Sequence, residues 1–125
     1  MSTKAPRKLN VLLVDDDESL RRALARAIRL AGFDVEAFAS AEVFLAHADS
    51  DSGACLVLDV DLPGMDGIDC KRVLEASDRH LPTVFITALP ASQVSASLAA
   101  LAPVAVLYKP FNKDELIAAI EEACA

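Results

Sequence analysis

Short apolar runs alternate with stretches of helical period along this chain, and this alternation limits the folds open to it. Residues 11–14 form a run of β-branched residues and leucines that is too short for a helix and apolar on both faces, which is typical of a strand in a parallel sheet. In the segment after it, apolar residues recur every three or four positions between arginines, which indicates an amphipathic helix. Strict repetition of this pair predicts parallel strands joined by right-handed crossovers, with helices on both faces of one sheet.

Five strands and five helices follow from these patterns. We expect strands at residues 11–14, 33–37, 54–58, 83–86 and 104–108, a loop at 49–53 and a fourth helix at 91–101. Other helix limits are predicted from capping and turn residues: Gly32 is the C-cap of the first helix, Ser40 begins the second, Pro63, Gly64 and Gly67 form the turn before the third, and Asn112 with Glu115 makes a capping box at the start of the fifth.

The composition excludes several classes of protein. A chain of 125 residues can bury the core of one domain, and a hydrophobic content of 54% excludes a disordered chain. With 12 basic and 19 acidic residues the formal net charge is -7, whereas a nucleic-acid surface needs clustered lysine and arginine. We therefore expect no direct binding of nucleic acid.

The sequence predicts neither secretion nor contact with a membrane. The N-terminal segment has basic residues but no apolar run of signal-peptide length. Residues 88–108 carry no charge, but prolines and serines interrupt them, so we predict no membrane-spanning helix. The odd number of cysteines (Cys55, Cys70 and Cys124) indicates buried thiols of an intracellular protein rather than a disulfide framework. We expect a cytoplasmic protein.

Polar side chains follow four of the five predicted strands. The first strand runs into Asp15 and Asp16, the third into Asp59, the fourth into Thr87 and the fifth into Lys109. A single acid after a strand commonly does no more than begin a loop or cap a helix. In an open parallel sheet, however, groups just past the carboxyl ends of the strands converge, and ligands bind there. The pattern therefore predicts one shared site.

Crowded carboxylates repel each other and need a compensating charge. Mg²⁺ is suited to this position because it takes oxygen ligands and combines one or two carboxylates with a phosphoryl oxygen. Lys109 adds a positive charge and Thr87 adds a hydroxyl donor. These groups around a carboxylate suit the spread charge of a transferring phosphoryl group, and an aspartate can itself be the nucleophile that receives it.

The residues at these strand ends resemble the receiver domain of two-component response regulators. The resemblance covers nearly the whole chain, and we assign residues 1–8 to an N-terminal tail and 9–125 to the receiver domain. It implies a flavodoxin-like (βα)5 fold whose five parallel strands have the order 2-1-3-4-5. The matching motifs are Val14-Asp15-Asp16, Leu58-Asp59-Val60-Asp61-Leu62-Pro63-Gly64-Met65-Asp66-Gly67, Thr87-Ala88 and Lys109-Pro110-Phe111.

The resemblance also implies a role for each site residue. Asp59 would accept a phosphoryl group from a phosphohistidine on a sensor histidine kinase or a histidine phosphotransfer protein. The domain would catalyse its own phosphorylation and dephosphorylation with Mg²⁺ rather than act as an enzyme on other substrates. The other implied roles are direct Mg²⁺ ligation by Asp16 and Asp59, a water-mediated contact from Asp15, a backbone carbonyl ligand from Asp61, contacts to the phosphoryl oxygens from Thr87 and Lys109, and a cis Lys109-Pro110 bond. Asp17 is interpreted as the start of the first helix.

Three positions depart from the family pattern. Val106 stands where receivers often have an aromatic ring that responds to movement of the threonine, so such a gate is absent. Ala102-Pro103 occupies a turn that commonly contains glycine, and proline restricts the backbone there. Asp61 and Leu89 border the path of the hydrolytic water, and this acid–leucine pair leaves the lifetime of the phosphorylated state open.

Other functions remain as hypotheses at this point. Asp59-Val60-Asp61 also has the form of a haloacid dehalogenase nucleophile motif, although the acid pair lies upstream rather than downstream as in that family. A receiver that binds partners without phosphorylation is the second alternative. The uncharged residues 88–108 suggest either an apolar docking face, which replacement of Leu98 or Leu101 by Asp would test, or an alanine-rich helix packed on the sheet. A downstream partner protein and a weak or phosphorylation-dependent homodimer complete the expected interactions.

Overall fold

The computed structural model describes residues 8–47 and 53–125 of the chain. Most of the predicted tail and of the predicted 49–53 loop lies outside these ranges. Within them, five strands and five helices alternate as predicted: β1 (Asn10–Val14), α1 (Glu18–Leu30), β2 (Asp34–Phe38), α2 (Ala41–His47), β3 (Cys55–Asp59), α3 (Gly67–Ala76), β4 (Thr83–Thr87), α4 (Ala91–Ala99), β5 (Ala105–Tyr108) and α5 (Lys113–Ala123).

The five strands form one parallel sheet in the order β2-β1-β3-β4-β5, which confirms the predicted topology. Every residue of β3 and β4 is buried, because each of these strands has a neighbour on both sides and helices above and below. The edge strands β2 and β5 are largely half-buried or exposed. The register pairs Asp59 with Ile86 and Thr87 with Tyr108, so the ends of β3, β4 and β5 lie at the same edge of the sheet.

Alternate strand residues enter two separate cores. In β1, Leu12 and Val14 pack on the face that also holds Phe44 of α2. Val11 and Leu13 point the other way, into the core that contains Ile28 of α1. Successive strand residues face opposite sides of a sheet, so a run that is apolar at every position, as in β1, is suited to a sheet covered on both faces.

The helix limits differ from the predicted ones by one or two residues. Ala31 is the C-cap of α1, and Gly32 lies one position later with a φ of 100°, a conformation that glycine adopts at low cost. Gly67 begins α3 rather than ending the turn, and α4 stops at Ala99 instead of residue 101. The predicted caps of the other helices are confirmed by hydrogen bonds: Ser40 Oγ accepts from the Val43 N–H, and Asn112 with Glu115 forms a capping box.

The uncharged segment is built around a packed helix. Leu98 is fully buried in the core, and Leu101 is half-buried against it. This burial favours the packed helix over a docking face at Leu98, because Val94 and Leu98 of α4 complete the core while most of its alanine, serine and glutamine residues face outward. No helix in the described ranges has both the length and the apolar character needed to cross a bilayer.

The cysteines behave as predicted from their number and spacing. All three thiols are free: Cys55 and Cys70 are buried, and Cys124 is half-buried at the end of α5. Burial raises the pKa of the Cys55 thiol, and the neighbouring Cys124 raises it further. The thiols therefore contribute apolar packing.

Candidate functional site

Four strand ends bring their polar residues to one point of the sheet edge. Asp15 follows β1, Asp59 ends β3, Thr87 ends β4, and Lys109 follows β5. One carboxylate oxygen each from Asp15, Asp16 and Asp59 lies within 4.8 Å of the others. The sheet order explains this convergence, because β1 and β3 are hydrogen-bonded neighbours and their C-terminal ends carry the acids.

Asp15 is completely buried, and its side chain has one fixed oxygen and one unpaired oxygen. Its N–H donates to the carbonyl of Phe38 at 3.1 Å, which continues the β1–β2 pairing by one residue. Oδ1 accepts a hydrogen bond from the Asp17 N–H at 2.9 Å. Oδ2 is buried and accepts no hydrogen bond from the described residues, although Lys109 Nζ forms an ion pair with it at 3.5 Å. A buried carboxylate oxygen without a hydrogen bond is costly, so this oxygen can take a further positive partner such as a cation.

Asp59 is almost completely buried and is bonded at both carboxylate oxygens. Oδ1 accepts from the Asp61 N–H at 3.0 Å, and Oδ2 accepts from Lys109 Nζ at 2.9 Å. Burial raises the pKa of Asp59 to about 6; the hydrogen bond from Lys109 opposes this rise, and the negative charge of Asp15 adds to it. Asp59 is therefore mostly ionised at neutral pH and readily protonated below pH 6.

Thr87 and Lys109 are joined through the backbone. The Lys109 N–H donates to the Thr87 carbonyl at 2.7 Å, and the Lys109-Pro110 bond is cis, as the resemblance implied. The buried Thr87 hydroxyl accepts from the Leu89 N–H at 3.0 Å, which leaves its proton available to donate. Burial alone would lower the pKa of Lys109, but the hydrogen bond and charge of Asp59 and the charge of Asp15 raise it overall. Lys109 is thus a permanent cation.

The remaining predicted residues lie at the rim of this site. The Asp16 side chain is exposed, although one of its oxygens belongs to the carboxylate group. Asp61 has an exposed side chain that is not part of that group, whereas its N–H binds Asp59. Asp17 accepts from the Leu20 N–H at 3.1 Å and is the N-cap of α1, which confirms its interpretation as a helix start.

The donor set fits a hard divalent cation. Three carboxylates converge on one side, and a single lysine partly balances them. All of the candidate ligands are oxygens, and one of them is the buried, unpaired Oδ2 of Asp15. Mg²⁺ prefers oxygen ligands and retains several waters, so a site with one exposed rim residue, Asp16, matches its requirements.

Glu42 and Gly67 hold the loop between β3 and α3 through contacts that the sequence did not predict. Glu42, in the first turn of α2, accepts a hydrogen bond from the Met65 N–H at 3.1 Å, and this bond lowers the pKa of Glu42. Gly67 lies directly against the backbone of β3: a Cβ there would be 2.2 Å from the Asp59 carbonyl oxygen. The motif contains Gly67, but only the fold shows that its missing side chain makes room for Asp59. No sequence signal joins Glu42 to Met65.

Comparison with known proteins gives one consistent family. The model of the response regulator receiver domain matches residues 11–121. Nodulation protein W of Bradyrhizobium diazoefficiens is 38% identical over 121 residues, which cover 97% of this chain and 53% of that protein. The response regulator protein TodT of Pseudomonas putida is 34% identical over 113 residues, which cover 90% of this chain and 50% of that protein. The chain thus spans about half the length of these curated relatives.

Solved structures agree with the sequence comparison. The response regulator StyR superposes with a TM-score of 0.86 at 39% identity, covering 94% of this chain and 60% of that one. FixJ-N superposes with a TM-score of 0.85 at 33% identity, covering 95% of both chains. The similarity therefore extends over nearly the whole chain, including the sheet and the helices that cover it.

Proposed function

This chain belongs to the response regulator receiver domain family of two-component systems, and we propose that it is a signalling switch that is phosphorylated on Asp59. The observation that carries the proposal is the environment of this carboxylate. Asp59 is buried at the edge of the sheet, bonded to Lys109 at 2.9 Å and grouped with Asp15 and Asp16. Family membership supports the receiver role, and the geometry supports the choice of Asp59.

In the proposed reaction, a carboxylate oxygen of Asp59 attacks the phosphorus of a phosphohistidine. An oxygen–phosphorus bond forms, the phosphorus–nitrogen bond breaks, and its electron pair remains with the departing imidazole nitrogen. Lys109 would neutralise charge on the transferred group, and the available proton of the Thr87 hydroxyl would be donated to one of its oxygens. With a pKa of about 6, Asp59 is mostly in the nucleophilic carboxylate form at neutral pH.

The acidic residues would hold the metal ion that this chemistry uses. Asp16 and Asp59 are the proposed direct ligands, Asp15 would act through a water, and Asp61 would offer its backbone carbonyl. When bound, Mg²⁺ would supply positive charge that offsets the charge of the transferred phosphoryl group. The support from this chain is the all-oxygen donor set and the unpaired Oδ2 of Asp15.

The partners and the setting are proposals of the same kind. Receiver domains of response regulators interact with histidine kinases, and we propose a sensor histidine kinase or a histidine phosphotransfer protein as the phosphodonor. We further propose residues 9–125 as the receiver domain, a cytoplasmic location, a downstream protein partner and a weak homodimer that depends on phosphorylation. Direct binding to nucleic acid or to a membrane is not part of this proposal.

The two alternative functions gain no support from the family match or from the relatives named above. A hydrolase of the haloacid dehalogenase type would turn over generic phosphate esters. An interaction module that works without phosphorylation would take up no phosphoryl group even though its acidic site is complete. Both are distinguished from the proposed switch by one experiment.

The test is incubation with Mg²⁺ and acetyl phosphate, followed by intact-mass measurement. We expect a mass increase of one phosphoryl group, which Asp59→Asn abolishes. Asp114→Asn is the matched control, since Asp114 is exposed on α5 and loses the same charge. Absence of an adduct, under conditions that phosphorylate a second receiver, would favour the unphosphorylated module, and turnover of p-nitrophenyl phosphate would favour the hydrolase.

A further inference from the structure

We infer that Arg21 is a positioning residue for the metal-binding edge of the site. Arg21 lies in α1, half-buried beside the loop that links β1 to this helix. Its Nη1 donates a hydrogen bond of 2.9 Å to the backbone carbonyl of Asp15. The residue does not belong to the group of acids, and no motif in the sequence marks it. It nevertheless bonds to the main chain of the most deeply buried acid of the site.

The contacts of Asp15 show what this bond does. The N–H of Asp15 is held by Phe38, Oδ1 is held by the Asp17 N–H, and the carbonyl is held by Arg21. Among the residues that the structure describes, Oδ2 finds no hydrogen-bond donor, and it forms an ion pair with Lys109 at 3.5 Å. Of these three hydrogen bonds to Asp15, two are made by backbone groups, and the third is made by the side chain of Arg21. Loss of its bond frees the carbonyl of Asp15 and, with it, the orientation of the carboxylates of Asp15 and Asp16.

A positioning role and a simple charge effect predict opposite results. Arg21 is permanently positive, so by Coulomb attraction alone its removal would make the acidic site more negative and the binding of a cation tighter. If Arg21 acts by holding the Asp15 carbonyl, its removal disorders the ligands and weakens the binding of a cation. The sign of the change in affinity therefore separates the two explanations.

This inference rests on the proposed magnesium site, and it is tested by calorimetric titration of Mg²⁺ into the full chain without a phosphodonor. Arg21→Met keeps the apolar stem of the side chain and removes its donors. Arg22→Met is the matched control: Arg22 is the next residue, and its guanidinium is exposed and contacts Glu18 at 2.8 Å. We expect Arg21→Met to weaken Mg²⁺ binding roughly tenfold, within the range found for groups that orient metal ligands, and Arg22→Met to change it by less than about twofold.

A third variant separates positioning from general damage. Arg21→Lys keeps the charge but replaces the planar guanidinium with an ammonium, and we expect an affinity between those of the unmodified protein and Arg21→Met. Circular dichroism shows whether Arg21→Met folds. If it does not fold, Arg21→Lys decides: a dissociation constant for Mg²⁺ equal to that of the unmodified protein overturns the inference. Equal or tighter binding by a folded Arg21→Met also overturns it and leaves the magnesium site intact. An unmodified protein that binds no Mg²⁺ overturns both.

Discussion

The ammonium of Lys109 lies 2.9 Å from Oδ2 of Asp59, although the two residues are fifty positions apart in the chain. Asp59 ends β3 and Lys109 follows β5, and these two strands are not adjacent, because β4 lies between them. The lysine crosses this gap because its own N–H is anchored to the Thr87 carbonyl at the end of β4. The Asp59 carboxylate is therefore bonded to a side chain that the ends of β4 and β5 hold in place.

Replacing the lysine should slow phosphorylation without removing the acceptor. In Lys109→Met the Asp59 carboxylate remains, but the cation that would neutralise the transferred group is lost. Removal of one such preorganised group typically costs on the order of 10²-fold in rate. We expect a decrease of about this size in the initial rate of adduct formation with acetyl phosphate and Mg²⁺, measured by intact mass. Lys113→Met, which removes an exposed lysine from the start of α5, should keep its rate; equal rates for the two variants would contradict the role of Lys109.

The raised pKa of Asp59 predicts how stability depends on pH in metal-free buffer. Its folded-state pKa of about 6 exceeds the ordinary value of an aspartate, so the unfolded chain loses the proton first as the pH rises. The free energy of unfolding therefore falls between about pH 4 and pH 6 and remains lowered above this window. Asp59→Asn removes the penalty. We expect the variant to be more stable at pH 7 by on the order of 1 kcal/mol. One pKa unit corresponds to about 1.4 kcal/mol, and we expect less than the full shift would give, because the substitution also weakens the bond to Lys109.

Urea unfolding in EDTA at pH 4 and pH 7 measures this difference. The advantage of Asp59→Asn should be much smaller at pH 4, because the carboxyl is then protonated in the folded state and about half protonated in the unfolded chain. Added Mg²⁺ should stabilise the unmodified protein and have little effect on the variant, because only a bound ligand shifts the unfolding equilibrium. Asp114→Asn should show neither effect. A variant that is less stable than the unmodified protein at pH 7 in EDTA would refute the assignment of the raised pKa to burial.

The alternation of strands and helices and the acidic site could be predicted from local patterns, whereas the strand order 2-1-3-4-5 was implied by the resemblance to receiver domains. The apolar run of β1 shows by itself that the strand is buried on both faces. Asp15, Asp59 and Lys109 are recognisable because each directly follows or ends such a run. Once the strands are parallel, their ends share one edge, and the grouping of the side chains follows without any knowledge of long-range contacts.

The contacts that hold the site together could not be predicted in this way. The bond from Arg21 to the Asp15 carbonyl uses a side chain whose spacing also suits an exposed helix face. Glu42 and Met65 lie on different elements, 23 positions apart, and their bond depends on how α2 packs beside the loop after β3. The burial of Leu98 could not be predicted, because a helix without charges does not show from its composition which of its faces is buried. Such features depend on packing, which a residue pattern does not contain.

Gly67 should be required for the position of Asp59 rather than for a flexible turn. In Gly67→Ala the new Cβ would lie 2.2 Å from the Asp59 carbonyl oxygen and 2.9 Å from Val60 Cα. Both are backbone atoms, so β3 or α3 must shift, at a typical cost of about 1 to 3 kcal/mol. We expect a lower urea midpoint and slower adduct formation. Gly32→Ala is the control, because Gly32 has a positive φ but no atom within 4 Å of an added Cβ: it should lose stability through backbone strain and keep its rate. Equal adduct rates for the two variants would contradict this account.

Ala102 should be replaceable by glycine with a gain in stability. Ala102 has a φ of 49° in the turn before β5, a left-handed conformation that costs a residue with a Cβ about 1 to 2 kcal/mol. Glycine removes this strain, but it also increases the conformational entropy of the unfolded chain, which lowers the free energy of unfolding by about 0.4 to 1 kcal/mol. We therefore expect Ala102→Gly to raise the free energy of unfolding by about 0.5 to 1 kcal/mol, the difference of these two effects. Ala99→Gly makes the same substitution at the last residue of α4, where glycine costs about 1 kcal/mol. Urea midpoints that move in opposite directions would support the strain at Ala102, and a parallel loss of stability in both variants would show that the turn accepts alanine without cost.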